Sequence, residues 1–412
     1  MEKKSTGVGG ESSPGWATLE AFARQQIQGF VQRLLQEEVT ELLGRGKSAR
    51  RGPGEAPGYR NGYGQPRRLA LTSGTITVRR PRVRGLEARF ESRLLPLFKR
   101  RTEEVGVLLP QLYLHGLALG DFELALRGLL GESAPLSETS IARLKAQWQV
   151  EYQAWRQRSL ADLEVVYWWA DGLYVKAGVE DGKAALLVII GATTDGQKVL
   201  LAVESGQRES TASWAAVLRD LQARGLGAPR LTVADGHLGI WGALAQLYPA
   251  SAEQRCWNHK MVNVLDAVPR HKQAEVKAWL RRMMYADSRS ACETERRQFA
   301  AQYRRMYPKA VETLERDWER MVTFFVFPKD HWLHLRTTNI VESPFAAVRL
   351  RTTAAKRYKN VEHATALVWK VLGVAERTFR RLNAPEFLPA VYAGVRYIDG
   401  VAVTPTPGRI AA

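Results

Sequence analysis

The hydrophobic pattern changes character near residue 161. Beyond it, apolar residues run in short extended stretches. Residues 165–177, within VVYWWADGLYVKAG, crowd Val, Tyr and Trp together and predict a strand. KAALLVIIGATT (183–194) and QKVLLAVES (197–205) predict two more. The turn sequences EDGK and TDGQ join the three, so an antiparallel meander is expected. STASWAAVLRDLQARG (210–225) has the spacing of an amphipathic helix, PRLTVADG (229–236) that of a strand, LGIWGALAQLYP (238–249) that of a helix and EQRCW (253–257) that of a short strand. Three antiparallel strands, then helix, strand, helix and strand, predict an α/β fold with a mixed five-stranded sheet. One residue breaks the apolar pattern. Alternate side chains of a strand share a face, so Asp171 falls on the face of Val165, Tyr167, Trp169, Leu173 and Val175. A carboxylate is costly to bury there unless something pairs with it.

Elsewhere the pattern is helical or irregular. Residues 1–15 are rich in Gly and Ser and predict a disordered tail. A helix is expected over 16–44, with Gly44 as its C-cap. The Gly/Pro/Arg-rich residues 45–68 predict loop. RLALTS and TITVRRPRV, around Ser73-Gly74, predict a basic hairpin over 69–84 that carries Arg79, Arg80, Arg82 and Arg84. Helices over 103–131 and 133–158 give the stretch 105–158 the form of a helix-turn-helix, a form also common in α-rich proteins that read no DNA. The block 261–335 has almost no strand signal and predicts several helices, and 335–373 holds at least one more. The expected organisation is a tail (1–15), an amino-terminal DNA-binding region (16–160), a catalytic domain built from 161–260 and 336–385 around a helical insertion (261–335), and a carboxyl-terminal tail (386–412).

Composition narrows the classes. The longest apolar run, AALLVIIGA (184–192), is too short to cross a bilayer, and the amino terminus has no apolar core of a secretion signal. Two cysteines, Cys256 and Cys292, exclude a disulfide scaffold and fit a reducing cytoplasm. The formal charge is +18. Residues 44–104 hold 16 basic and 5 acidic side chains, and residues 336–381 hold 10 and 3. These two stretches match the whole surplus. Positive charge concentrated in this way points to a polyanion, above all nucleic acid.

Three carboxylates stand out. Asp171 lies mid-strand, where the alternative to a functional role is a buried Asp paired with Arg. Asp235 ends a second strand at the carboxyl edge, where open α/β sheets place their sites, although Asp-Gly there can be a plain turn. In TTNIVESPFAAVR, Glu342 sits at a helix start. It would complete a capping box with Asn339, or precede a helix capped by Ser343 and opened by Pro344. Together the three could converge on two divalent cations, because Mg²⁺ and Mn²⁺ favour carboxylate oxygens. Asp171 would be shared and Asp235 and Glu342 would hold one cation each, an arrangement suited to phosphoryl transfer. Asp235 and Glu342 are 107 residues apart. Without the 75-residue helical block, 32 remain, enough for one helix and one strand. The strand order is that of an RNase H-like sheet.

WWADGLYVKAG, IIGATTDGQKVLL, ESTASWAAVLRDLQARGL, LTVADGHLGIWGAL, FPKDHW and RTTNIVES, in that order and with the earlier YRNGYG, resemble the Mutator family of bacterial insertion-sequence transposases over most of the chain. The resemblance implies an RNase H-like core with a helical insertion, a DDE triad at Asp171, Asp235 and Glu342, and double-stranded DNA as partner, both as terminal inverted repeats and as target. It also implies a homodimer on paired ends and a place in the bacterial cytoplasm at the nucleoid. QRCWNHKMVN matches the family's Cys-x-x-His signature at Cys256 and His259. Read from the residues, the pair suits packing and hydrogen bonding beside the site, or zinc if His271 and Cys292 join it. The chain departs from the family pattern after Glu342, where Pro344 and small apolar residues replace a polar run, and at Ala177, where an Arg is commoner and Lys176 could substitute. The basic residues Arg79, Arg80, Arg82, Arg84, Arg349 and Arg351 are expected to hold backbone phosphates. The competing readings are a domesticated DNA-binding protein that no longer cuts, and an RNase H-like nuclease or resolvase.

Overall fold

A computed structural model describes residues 18–54, 56–96, 99–116, 127, 130, 138–177, 183–206, 208–236, 238–355 and 357–403. The tail 1–15, the turn expected between the two helices of 105–158, and His237, two residues past Asp235, lie outside them. The chain forms two compact units, 1–143 and 144–412.

In the first unit, helix α1 (Leu19–Leu43) ends at Gly44, whose φ of 66° is the left-handed cap expected of glycine. The basic segment is not one hairpin. β2 (Arg67–Leu71) and β3 (Gly74–Val78) form a tight antiparallel pair. β4 (Pro81–Arg84) leaves it and pairs with β1 (Tyr59–Tyr63), which arises inside the stretch expected to be loop. β3 ends at Val78, opposite Arg67 at the start of β2, and Pro81 opens β4 opposite Tyr63. Leu35 of α1 packs with Ile76, Val78 and Leu95 in a small core. Gln32 of α1 bonds the Arg79 main chain on both sides, accepting from its N–H and donating to its carbonyl, each at 2.8 Å. Helix α2 (Glu103–Leu114) belongs to this unit.

The second unit is built on a five-stranded sheet in the order β7-β6-β5-β8-β9. β5 (Val165–Lys176), β6 (Lys183–Thr193) and β7 (Lys198–Gly206) are antiparallel, while β8 (Leu231–Ala234) and β9 (Ala252–Arg255) run parallel to β5. The mixed α/β sheet read from the hydrophobic pattern is therefore present. Strand alternation decides its two faces. Trp168 and Ala170 point into the main core, against Trp214, Leu218 and Leu221 of helix α4 (Thr211–Ala223) and Ile240 and Leu244 of helix α5 (Leu238–Leu247). Tyr167 and Trp169 point the other way, under residues 327–335. The Tyr167 hydroxyl meets His331 Nδ1 at 2.9 Å, and Trp169 Nε1 donates to the His334 carbonyl at 2.9 Å.

Helix α3 (Glu138–Arg156), expected to belong to the amino-terminal region, sends the Tyr152 hydroxyl to the Val203 carbonyl of β7. The helical pair read over 105–158 is thus split between the two units. Past β9 the chain is helical at once. α6 (Trp257–Leu265), α7 (Arg270–Met284), α8 (Arg289–Tyr303) and α9 (Pro308–Glu315) are followed by short helical turns up to Leu335. The strand read over 253–257 ends at Arg255, because Cys256 is already the N-cap of α6. Helices α10 (Phe345–Ala355) and α11 (Val361–Glu376) complete the unit. The segment read as a carboxyl-terminal tail contains a helix, Leu388–Tyr392, and a two-stranded turn. It is tied down through the Gly400 N–H, which donates to the Phe325 carbonyl at 3.2 Å. No helix among the described residues is long and apolar enough to cross a membrane.

Candidate active site

The sheet register carries the first two carboxylates. Ala170 of β5 pairs with Ala234 of β8 in parallel register. Asp171 and Asp235 are the next residues on these adjacent strands. Each carboxylate accepts a hydrogen bond from the glycine after it, at 2.8 Å for Gly172 and Asp171. The third arrives from far along the chain on the helical turn Asn339–Glu342. His259 of α6 joins the second and third, with Nδ1 3.8 Å from Asp235 Oδ1 and 3.8 Å from Glu342 Oε1.

Electrostatics mark the same cluster. Burial, reinforced by Glu342 and Glu209, pushes the Asp171 carboxyl up to about 7, against the Gly172 N–H and His259. His259 is raised as well, which favours its charged form. A hydrogen bond to Cys256, together with Asp235 and Glu342, raises it to about 9 despite its burial. A cation at His259 thus faces an excess of negative charge. Burial holds the other histidine against this sheet face, His331, below its ordinary value.

Thr338 organises the turn that brings Glu342. It is fully buried and stands at the N-cap position of the turn, its hydroxyl turned to other partners. Its N–H points at Cys256 Sγ (3.4 Å), and its hydroxyl lies within reach of Cys256 Sγ (3.2 Å) and Glu342 Oε1. One hydroxyl proton serves one of these acceptors at a time. The capping box expected of Asn339 and Glu342 is not formed. Asn339 lies inside the turn, where its Oδ1 accepts from Asn258 Nδ2 at 3.1 Å. The next helix starts at Phe345, just after Pro344.

Two neighbours of the site escape a sequence reading. Thr338 carries only the weak signal of a Thr four residues before a Glu. Glu209 carries none. Its carboxyl oxygen lies 2.5 Å from where a Cβ on Gly172 would stand, so the glycine after Asp171 permits a fourth carboxylate to approach.

The donor set fits hard divalent cations. Asp171, Asp235 and Glu342 supply carboxylate oxygens, the donors such ions prefer. Among the described residues, the ligand atoms that lie within 4.8 Å of one another are those of Cys256, His259 and Glu342, with Asp171 and Asp235 outside that group. A four-ligand zinc set is not formed among the described residues. His271 and Cys292 are absent from the group, and Cys292 is buried in the helical block with its thiol pushed up to about 12 by burial.

Other expected residues lie apart. Lys176 ends β5 five residues beyond Asp171, so strand alternation puts it on the opposite face. Arg351 is buried, 2% exposed, in the fold rather than free for phosphate. It continues the buried stripe of Phe345 and Val348 along α10. Arg349 is exposed. In the first unit Arg79, Arg82 and Arg84 are exposed and Arg80 is half-buried.

The family model "Transposase, Mutator family" matches residues 14–381. The transposase for insertion sequence element IS6120 of Mycolicibacterium smegmatis is 41% identical over 293 residues, 71% of this chain and 91% of the relative. The transposase for insertion sequence element IST2 of Acidithiobacillus ferrooxidans is 43% identical over 279 residues, 67% of this chain and 94% of the relative. Among solved structures, the HTLV-2 integrase catalytic core domain in complex with magnesium aligns with 31% of this chain and 88% of its own at 14% identity. Its TM-score is 0.18, too low to establish a shared fold.

Proposed function

Because the chain belongs to the Mutator family of transposases, we propose that it is a DNA transposase that binds the terminal inverted repeats of its insertion sequence and cuts and joins DNA there. The observation that carries this reading is the approach of Asp171, Asp235 and Glu342 around His259. The sheet order supports reading the second unit as an RNase H-like catalytic core.

Asp171, Asp235 and Glu342 would hold two Mg²⁺ or Mn²⁺ ions. Such cations supply activation of the attacking water or 3′-hydroxyl and neutralise charge on the leaving oxygen. The chain's own residues do the positioning. β5 and β8 hold two of the carboxylates on rigid, buried backbone. The Thr338 turn orients the third. His259, charged at neutral pH, would face the scissile phosphate. Exposed Arg79, Arg82 and Arg84, and Arg349 in the second unit, would hold backbone phosphates. A pair of copies would act on paired ends in the bacterial cytoplasm at the nucleoid.

The test uses duplexes carrying the element's ends, with Mg²⁺ or Mn²⁺. Asp171→Asn, Asp235→Asn and Glu342→Gln should each lose cleavage and joining by at least about 10³-fold, a catalytic-scale effect, while still binding the duplex. Wild-type nicking by Asp171→Asn would overturn the assignment. Binding without any strand transfer by the wild type would favour a domesticated DNA-binding protein, and cleavage without joining a resolvase.

A further inference from the structure

The core-facing row of the small β2–β3 sheet ends in arginines. Leu69 pairs with Ile76, and Arg67 pairs with Val78. Ile76 and Val78 are buried, and Leu69 packs against them. Paired residues share a face, so Arg67 continues this apolar row at its open end. Arg80, two residues past Val78, follows from the other strand. Its main chain is fixed where the Gly64 N–H donates to its carbonyl at 2.9 Å. A third strand-like segment supplies Arg100. The Ala70 N–H donates to the Arg100 carbonyl at 2.9 Å, and Ala70 bridges Arg101 in parallel register. The Arg67 guanidinium bonds the carbonyls of Pro96 and Lys99 on that segment, which orients it.

Among the described residues, no carboxylate is paired with this cluster. Burial, then the charges of Arg80 and Arg100, hold Arg67 below its ordinary value, and no carboxylate opposes them. Arg80 Nη1 is shielded from solvent and has no hydrogen-bond partner. Like charges gathered at a sheet end destabilise it, and a buried donor without an acceptor is costly. An anion with several oxygens, held by the remaining guanidinium N–H groups at the open end of the row, would relieve the repulsion.

We propose that Arg67, Arg80 and Arg100 form a clamp for one backbone phosphate of double-stranded DNA. This rests on the transposase reading only for its ligand. The site fits phosphate chemistry because three guanidiniums can share the oxygens of one group. It reads no base, so it would fix where the first unit sits on the duplex rather than which sequence it prefers.

The experiment compares the full-length wild type with Arg100→Gln and with Arg80→Gln/Arg100→Gln. A fluorescent 40-base-pair duplex of arbitrary sequence is titrated from 50 to 300 mM NaCl, and thermal midpoints are read with and without inorganic phosphate. The expected result is weaker binding and a log Kd against log[salt] slope shallower by about 1 for the contacted phosphate. The variants' own midpoints should match or exceed that of the wild type, since repulsion is removed. Phosphate should stabilise the wild type more than the double variant. An unchanged slope and affinity in folded variants would overturn the clamp while leaving the catalytic reading to its own test. Stabilisation by inorganic phosphate without any change in DNA binding would also overturn it, as a site for free anion. Correspondingly, a clamp that behaves as expected in a chain that never cuts would sink the catalytic reading alone.

Discussion

At the scale of single residues, Asp171 has the most to say. Its carboxyl is held up at about 7 in the folded protein, against roughly 4 in an unfolded chain. The folded state therefore binds more protons than the unfolded one between about pH 4 and 7, and stability falls as pH rises across that window. Asp171→Asn has no such group. In chelator, the variant should match the wild type near pH 4 and exceed it at pH 8. The difference should be about 1–2 kcal/mol, discounted for a half-buried site, or a few degrees in midpoint. Mg²⁺ should narrow the gap by stabilising the wild type alone. A difference that is the same at pH 5 and pH 8 would contradict the electrostatic account. Asp171 and Asp235 were legible because each is a charge in or at the end of an apolar strand. Thr338 and Glu209 were not, because a buried hydroxyl or a loop carboxylate leaves no periodic trace. Arg351 was misread because the positive charge of its stretch hid its place on the buried stripe of α10.

At the scale of elements, β5 does two jobs through alternation. Its even positions anchor the core under α4 and α5, and its odd positions lead from Tyr167 and Trp169 to Asp171. The approach of α5 to the start of α4 is equally tight. A Cβ on Gly239 would lie 2.3 Å from the Glu209 carbonyl oxygen, which is backbone and cannot rotate away. Gly239→Ala should therefore cost about 2 kcal/mol or more, measured by chemical denaturation, and displace Glu209 from Gly172. A neutral substitution would mean that the two helices slide freely. The predicted hairpin over 69–84 shows the limit of local patterning. The first ladder stops at Val78 opposite Arg67, and only long-range pairing with Tyr59–Tyr63 gives Pro81–Arg84 a second.

At the scale of the whole molecule, the charge is segregated. The surplus of +18 coincides with two stretches, one in each compact unit. A protein that uses several of these groups on phosphates releases counterions on binding. Its duplex affinity should fall by about 10³-fold or more between 50 and 200 mM salt if six or more phosphates are contacted. A shallow dependence measured by fluorescence anisotropy would assign the charge to solubility instead. The strands of the mixed sheet and the helices after them could be anticipated because each depends on periodicity within a short window, whereas the order of the strands depends on long-range pairing.

The sequence by itself determined the alternating strands, the two carboxylates they carry and the place of the positive charge, since these follow from local spacing and composition. Only the tertiary structure decided that Glu342 meets His259 and Asp235, that Thr338 holds the turn, that Glu209 enters over Gly172 and that Arg351 is buried. Those contacts join residues that lie far apart along the chain or hide a charged side chain within it. All but the Glu209 approach are fixed by how the helices and turns beyond β9 pack back on the sheet, and Glu209 by the close approach of α5 to the start of α4; no local pattern encodes either.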